Sequence, residues 1–169
     1  MSIGAIDQNH RAKLARNSLW VCFLLLGMVS MGWVPRIPEI KDAIGLSNGA
    51  FGFVLLGSTF GSITGAQLAG RFMHMYGSQR TIFVGVFIMP AGLAGMGLAT
   101  NALTLFLTLY IMGFGYALID MCYNFQGTVV EKILGRRYMS SFHAMWSTGA
   151  FLTTVVGGLI SRHVSPRAN

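Results

Sequence analysis

Long, uninterrupted apolar stretches constrain the fold of this chain more than any other feature of its sequence. A helix that crosses the hydrocarbon of a bilayer needs about 20 largely apolar residues. Five stretches are of about that length, at residues 17–34, 49–69, 81–99, 103–127 and 140–160, and are named spans one to five here. Backbone amides find no water in hydrocarbon, so spanning segments must be helices or a closed barrel. Because the apolar residues run continuously and do not alternate with polar ones, helices are predicted.

The composition agrees with this interpretation. Charged residues make up 10% of the chain and hydrophobic residues 53%, whereas about a quarter of a soluble domain is charged. Both cysteines, Cys22 and Cys122, lie inside predicted spans, so they offer no disulfide framework. The sequence therefore predicts an all-α fold, a polytopic membrane bundle of about five transmembrane helices that forms a single domain over residues 1–169.

Positive charge is concentrated in alternate connections between the spans. The formal net charge is +7, and in a soluble protein a basic surface can indicate nucleic-acid binding. Here eight of the twelve lysine and arginine residues lie before span one, after span two or after span four: Arg11, Lys13, Arg16, Arg71, Arg80, Lys132, Arg136 and Arg137. By the positive-inside rule these segments face the cytoplasm. We therefore predict an inner-membrane protein with a cytoplasmic N-terminus, and no nucleic-acid partner.

The connection between spans one and two has the pattern of a short helix at the membrane surface. Three isoleucines recur at helical spacing, at Ile37, Ile40 and Ile44, which gives an apolar face suited to the interface. Pro38 fits the first turn of such a helix, and Gly45 can end it. Ser47 or Asn48 can then cap span two.

Small residues follow one face of span two. Gly57, Gly61 and Gly65 recur at every fourth position, so another helix can approach this face closely. Two interpretations stay open, a static packing surface and a face that slides against a neighbour. In span three, Pro90 removes a backbone hydrogen bond and permits a bend.

Span four carries a polar stripe around Asp120, the one acid predicted inside the hydrocarbon. An ionised carboxylate there costs about 2.5 to 3.5 kcal/mol on insertion scales. Tyr116, Asn124 and Glu131 continue the same helical face. Because burial favours the protonated acid, Asp120 is a candidate for binding and releasing a proton. The structural alternative is that Asp120 pairs with cations of the neighbouring loops.

Span five begins with polar residues that can oppose this stripe. His143 is a candidate proton relay or solute-binding group, and an interfacial histidine is the equal alternative. Trp146 either stacks on a sugar ring or anchors the helix at the interface. The sequence contains no metal-ligand spacing, nucleophile elbow or phosphate loop, so no metal, cofactor or enzymatic activity is predicted.

With these spans, a basic turn after span two and paired glycines late in span five, the chain resembles the N-terminal half of a major facilitator superfamily transporter. The signature of that family after span two reads Gly-x-x-x-Asp-Arg-x-Gly-Arg-Lys. In GRFMHMYGSQR the chain keeps Gly70, Gly77 and Arg80, but His74 replaces the acid and Met75 the base. In the family this loop helps to hold the inner gate, so the resemblance implies a gating loop that lacks its acid.

The span-four acid and asparagine, Glu131 and the run FHAMWSTGA look most similar to the fucose-permease-like group. In that group a span-four carboxylate is implicated in proton-coupled uptake, and the resemblance carries this role to Asp120. It implies a symporter, a secondary active transporter of a small polar solute such as a sugar together with a proton. Membrane lipid is the other expected partner.

The length departs from the family pattern. A complete member has two halves of six helices with the site between them. About five spans would leave the C-terminus outside, with Arg162 and Arg167 against the charge rule. We therefore expect a fragment that lacks the sixth span and the C-terminal half. Two alternatives remain, a non-transporting subunit or sensor that binds a partner through its glycine-rich face, and an inactive truncated remnant.

Overall fold

The computed structural model describes the backbone of residues 3–161 and the side chains of residues 7–160. Arg162 and Arg167, which entered the expectation about the C-terminus, lie outside the described residues. The described elements are α1 (Ile3–Met31), a short 3-10 helix (Val34–Arg36), α2 (Ile37–Ile44), α3 (Asn48–Tyr76), α4 (Ser78–Gly97), α5 (Ala102–Leu134) and α6 (Met139–Ser161). None of the described residues forms a strand, and the predicted helical membrane bundle is confirmed.

Four stretches of the described chain are long and apolar enough to cross a membrane, judged by length and composition. They are Asp7–Ile44, Asn48–Tyr76, Ser78–Gly97 and Ala102–Leu134, and they contain spans one, two and four and all but the last two residues of span three. Span five forms most of α6, which has 23 residues and is therefore of spanning length. Its first turns include Ser140, Ser141 and His143, and these polar side chains lower the hydropathy of this helix.

The short amphipathic helix between spans one and two is confirmed as α2. Pro38 lies in its first turn, and Gly45 ends it in the left-handed conformation, with φ of 72°. The N–H of Gly45 donates to the carbonyl oxygen of Asp42 at 3.1 Å. Ser47 then caps α3, because its Oγ accepts from the N–H of Ala50 at 3.2 Å. Local chemistry thus fixes both ends of α2 and the start of α3.

The backbone packs into two compact units. Among the described residues, unit 1 comprises 3–32 and 123–156, and unit 2 comprises 33–122 and 157–161. The single domain expected over residues 1–169 stays a prediction.

In unit 2, α3 packs directly on the backbone of α5. The buried glycines of α3, Gly57, Gly61 and Gly65, are the points of closest approach. A Cβ added at Gly65 would lie 2.6 Å from the carbonyl oxygen of Phe114, and one added at Gly61 would overlap that of Tyr110. The small-residue face of span two is therefore a packing surface within this chain.

Helix α4 packs on α5 in a similar way. A Cβ added at Gly115 of α5 would lie 2.5 Å from the backbone nitrogen of Met89, and one added at Gly85 of α4 would lie 2.7 Å from Cγ1 of Ile119. The part of α5 in unit 2 is thus held between α3 and α4 with little side-chain bulk between the helices.

In unit 1, α1 and α6 cross at two glycines. A Cβ at Gly27 of α1 would overlap the carbonyl oxygen of Trp146, and one at Gly149 of α6 would overlap that of Leu24. Beside this crossing lies a buried core formed by Leu19, Phe23, Val130 and Phe142. The rings of Phe23 and Phe142 are stacked, with centroids 5.5 Å apart. This core holds α1, α5 and α6 together around the polar residues described next.

Candidate functional site

Helices α5 and α6 bring Asn124 and His143 together in unit 1. Nε2 of His143 lies 3.2 Å from Oδ1 of Asn124 and donates to it in the tautomer that carries its proton there. The ring of Phe23 packs edge-on against the imidazole, with centroids 5.4 Å apart. His143 is exposed and Asn124 is half-buried. A carboxamide and an imidazole both offer donor and acceptor atoms, so the pair can bind hydroxyl groups of a small solute.

Trp146 packs against the same core, one helical turn after Phe142. Its indole N–H is buried and has no hydrogen-bond partner among residues 7–160. A tryptophan that anchors a helix at the membrane surface points this N–H toward the hydrated headgroup region, whereas the N–H of Trp146 is buried. A buried unpaired donor costs about 1 to 3 kcal/mol, so an acceptor atom that reached it would be bound favourably.

Asp120 lies on α5 four residues before Asn124, and it belongs to unit 2. Its side chain is half-buried and interacts with a neighbouring group. Tyr116, one turn earlier on the same helix, is also half-buried. Within the described part of the chain, no set of three or more His, Cys, Asp or Glu side chains is arranged to hold a metal ion. The coupling role of Asp120 stays a prediction.

Glu131, which sequence reasoning placed in the polar stripe of span four, caps the start of α6. Its Oε1 accepts from the backbone N–H groups of Tyr138 at 2.5 Å and Met139 at 2.8 Å. The first N–H groups of a helix have no partner within the helix, and a negative charge is favoured there. The structure thus gives this carboxylate a capping position, and its proposed part in transport stays a prediction.

Glu131→Ala is expected to lower the free energy of unfolding, because two backbone donors lose their acceptor. Glu131→Gln keeps an acceptor oxygen and should lose less. Both are measured by circular dichroism during unfolding of the purified protein in detergent. Lys132→Ala, at the exposed neighbouring position, is the matched control. An alanine variant at position 131 that is as stable as this control would show that the cap contributes nothing.

A second polar cluster lies at the start of α6, where Glu131 caps the helix, and it was not predicted from the sequence. The guanidinium of Arg16 lies 4.8 Å from the Trp20 ring centroid and 5.3 Å from that of Tyr138. Nη1 of Arg16 donates to the Tyr138 hydroxyl at 3.4 Å, and this hydrogen bond is the main cause that lowers the pKa of Tyr138. Nε1 of Trp20 donates to Ser141 Oγ at 2.9 Å. These contacts hold α1 against the start of α6.

The four residues of the expected gating loop lie near the end of α3, in the turn after it and in the first turn of α4. Gly77 joins the two helices with φ of 82°, a conformation that favours glycine. Gly70 and His74 are exposed, and Arg80 borders a cavity formed with α3 and α5. Their gating role stays a prediction.

Curated proteins that match the chain carry transporter or membrane-protein names. An uncharacterised transporter of Sinorhizobium fredii (strain NBRC 101917 / NGR234) is 32% identical over 139 residues, which cover 82% of this chain and 37% of the relative. The membrane protein MosC of Rhizobium meliloti is 27% identical over 158 residues, with coverages of 94% and 39%. An uncharacterised MFS-type transporter of Yersinia pestis is 29% identical over 132 residues, with coverages of 78% and 34%.

The chain spans somewhat more than a third of the length of these relatives. No family model matches it, and no solved structure matches it. The relatives support a transporter family of the major facilitator kind. Together with the apolar helices, they support an integral, multi-pass membrane protein.

Proposed function

We propose that this chain is the N-terminal part of a secondary active transporter of the major facilitator type, and that the complete protein moves a small polar solute across the inner membrane. The transporter names of the relatives support the class of activity. The relatives are longer than this chain, and transporters of this kind consist of two repeats. Both facts support the proposal that this chain is part of a longer protein.

The contact between Asn124 and His143 carries the assignment of a solute site. These side chains meet at 3.2 Å in a bundle whose helices are otherwise largely apolar, where polar groups are costly and mark solute or ion pathways. Trp146, on the same helix as His143, adds a flat indole ring and a buried donor without a partner in residues 7–160. Hydroxyl groups and a ring that stacks are features of a sugar, so a monosaccharide is the proposed class of solute.

Asp120 supplies the proposed coupling to protons. It is an acid on the membrane helix that also carries Asn124, and it is half-buried. A carboxyl group can take up and release a proton, so exchange of a proton can be linked to each transport cycle. The basic residues Arg11, Lys13 and Arg16 in the first half of α1, and those around the α3–α4 turn, support a cytoplasmic N-terminus.

The rival hypothesis of a partner-binding subunit rested on the glycine face of span two. Gly57, Gly61 and Gly65 are buried against α5 of this same chain, so the face has an occupant without a second protein. The observation that motivated the rival is therefore explained by internal packing, and transport is the function we favour.

Uptake by the complete gene product tests the proposed site. Proteoliposomes are loaded with buffer, and uptake of a panel of radiolabelled neutral monosaccharides is measured. Asn124→Ala and His143→Ala are each expected to lower kcat/KM about tenfold, since each removes a hydrogen bond worth about 1.4 kcal/mol. The double variant should lose less than the product of both effects, because the two side chains contact each other.

Thr148→Ala is the matched control. Thr148 is an exposed residue of α6 whose hydroxyl donates to the carbonyl oxygen of Ala144 in its own helix, and uptake should not change. Uptake that is equally fast in the Asn124, His143 and Thr148 variants would remove the proposed site. Failure to move any sugar of the panel would refute the solute class.

A further inference from the structure

A cavity of about 270 Å³ lies in unit 2 beside the turn between α3 and α4. Side chains of three helices form its wall: Phe72, Tyr76, Arg80, Thr81, Val84 and Leu118. The hydroxyl of Thr81 donates to the carbonyl oxygen of Gly77 at 2.9 Å. Its proton therefore already has an acceptor, at the start of α4. The rest of the lining is almost wholly apolar, so Arg80 contributes the methylene groups of its exposed side chain to the wall. Such a wall favours hydrocarbon over a hydrated solute.

The basic and aliphatic residues beside this cavity are separated along α4. Arg80 lies in the first turn of that helix, close to the turn, and Val84 lies one helical turn farther into the predicted span. Tyr76 is the last residue of α3, so its ring stands at the same end as Arg80. Aromatic and basic side chains at a membrane surface, with aliphatic ones deeper, match the order of groups in a lipid molecule.

The charge around the turn is of one sign. Arg71, His74 and Arg80 occur within residues 70–81, and this segment contains no aspartate or glutamate. Arg80 forms no ion pair with any side chain of residues 7–160. Its guanidinium is thus available to an anion, and its planar fork of donors suits a phosphate group.

We propose that this cavity binds an anionic phospholipid, with the phosphate group on Arg80 and one acyl chain between Tyr76, Val84 and Leu118. A zwitterionic lipid would gain the apolar contacts with less electrostatic attraction. A free phosphate ion would leave the apolar wall uncovered. The negative surface of the cytoplasmic leaflet supplies lipids of this chemistry at the side of the membrane where the basic turn is expected to lie.

Native mass spectrometry of the delipidated, complete gene product tests the proposal. The protein is titrated with dioleoyl phosphatidylglycerol or with dioleoyl phosphatidylcholine, which has the same acyl chains. One site should bind the anionic lipid about fivefold more tightly, as expected for one arginine near a lipid phosphate. Arg80→Ala should abolish this preference, and Arg80→Lys should retain part of it. Val84→Trp fills the cavity and should weaken binding of both lipids.

Arg71→Ala is the matched control, because Arg71 is an exposed base of the same segment that does not line the cavity. It should keep the preference. An equal loss in the Arg71 and Arg80 variants would show diffuse attraction and would overturn the proposal. So would unchanged binding in Val84→Trp, or displacement of the lipid by millimolar inorganic phosphate. Circular dichroism of each variant establishes that it is folded, and Arg80→Lys keeps the test decisive should Arg80→Ala fail to fold.

Discussion

Gly61→Ala is expected to destabilise the protein by about 2 kcal/mol, which is about a thirtyfold change in the folding equilibrium. The added Cβ would overlap the backbone carbonyl oxygen of Tyr110 on α5. A flexible side chain could turn away from such an overlap, but a carbonyl group within a helix cannot. The two helices must therefore separate, and the neighbouring close contacts at Gly57 and Gly65 weaken with them. Reversible unfolding in mixed detergent micelles measures the loss.

Gly52→Ala is the control for this substitution. Gly52 lies on the same helix, is exposed, and has open space where its Cβ would stand. Alanine is favoured over glycine in a helix by about 0.5 to 1 kcal/mol, so this variant should be neutral or more stable. If Gly61→Ala were as stable as Gly52→Ala, the close packing of α3 on α5 would be wrong.

Asp120→Asn is expected to reduce solute-driven proton movement to background while solute exchange at equal concentrations continues. Asparagine preserves the shape and polarity of the side chain but cannot release a proton. A membrane potential of 100 mV provides about 2.3 kcal/mol for each charge moved, and this variant should no longer use it to accumulate solute. Proteoliposomes that contain the complete gene product and an internal pH-sensitive dye report the proton flux.

Asp42→Asn is the control, since Asp42 is an exposed acid of α2 outside the predicted polar stripe, and its proton flux should match that of the parent protein. Solute-driven proton flux that persists in Asp120→Asn would remove this residue from the coupling mechanism. Loss of both proton flux and solute exchange would instead mean that the side chain is needed to form the solute site.

Features fixed by short-range chemistry were predictable from the sequence. Apolar length predicted the long helices, and the conformational preferences of Pro38, Gly45 and Ser47 predicted the ends of α2 and the start of α3. These features were predictable because each depends on atoms a few residues apart, so the residue types alone constrain the backbone.

Features that depend on long-range packing were not predictable to the same extent. A row of small residues on span two predicts that a helix approaches, but not that the helix is α5, because small residues are compatible with any partner. Helical spacing placed Asn124 and His143 on polar faces, but their contact also depends on how α5 and α6 pack. The interaction of Arg16 with Tyr138 joins residues 122 positions apart, and no local sequence pattern predicts it.

Glu131 shows how a correct pattern can lead to an incomplete interpretation. Its spacing from Asp120 and Asn124 does place it on the polar face of span four. The chain then turns at Gly135, which adopts φ of 63°, and the first N–H groups of α6 return to the carboxylate. Helical spacing relates positions within one helix only. It therefore cannot predict that the start of α6 folds back onto this carboxylate.

The contact between Gly61 and the Tyr110 carbonyl limits how this pair of helices can change during evolution. When two side chains pack together, enlargement of one can be offset by a smaller residue at the other position. Here the obstructing atom is a backbone oxygen, which every residue type at position 110 would present. No substitution at that position can relieve an enlarged residue 61, so the glycine is expected to lack a direct second-site suppressor across the interface.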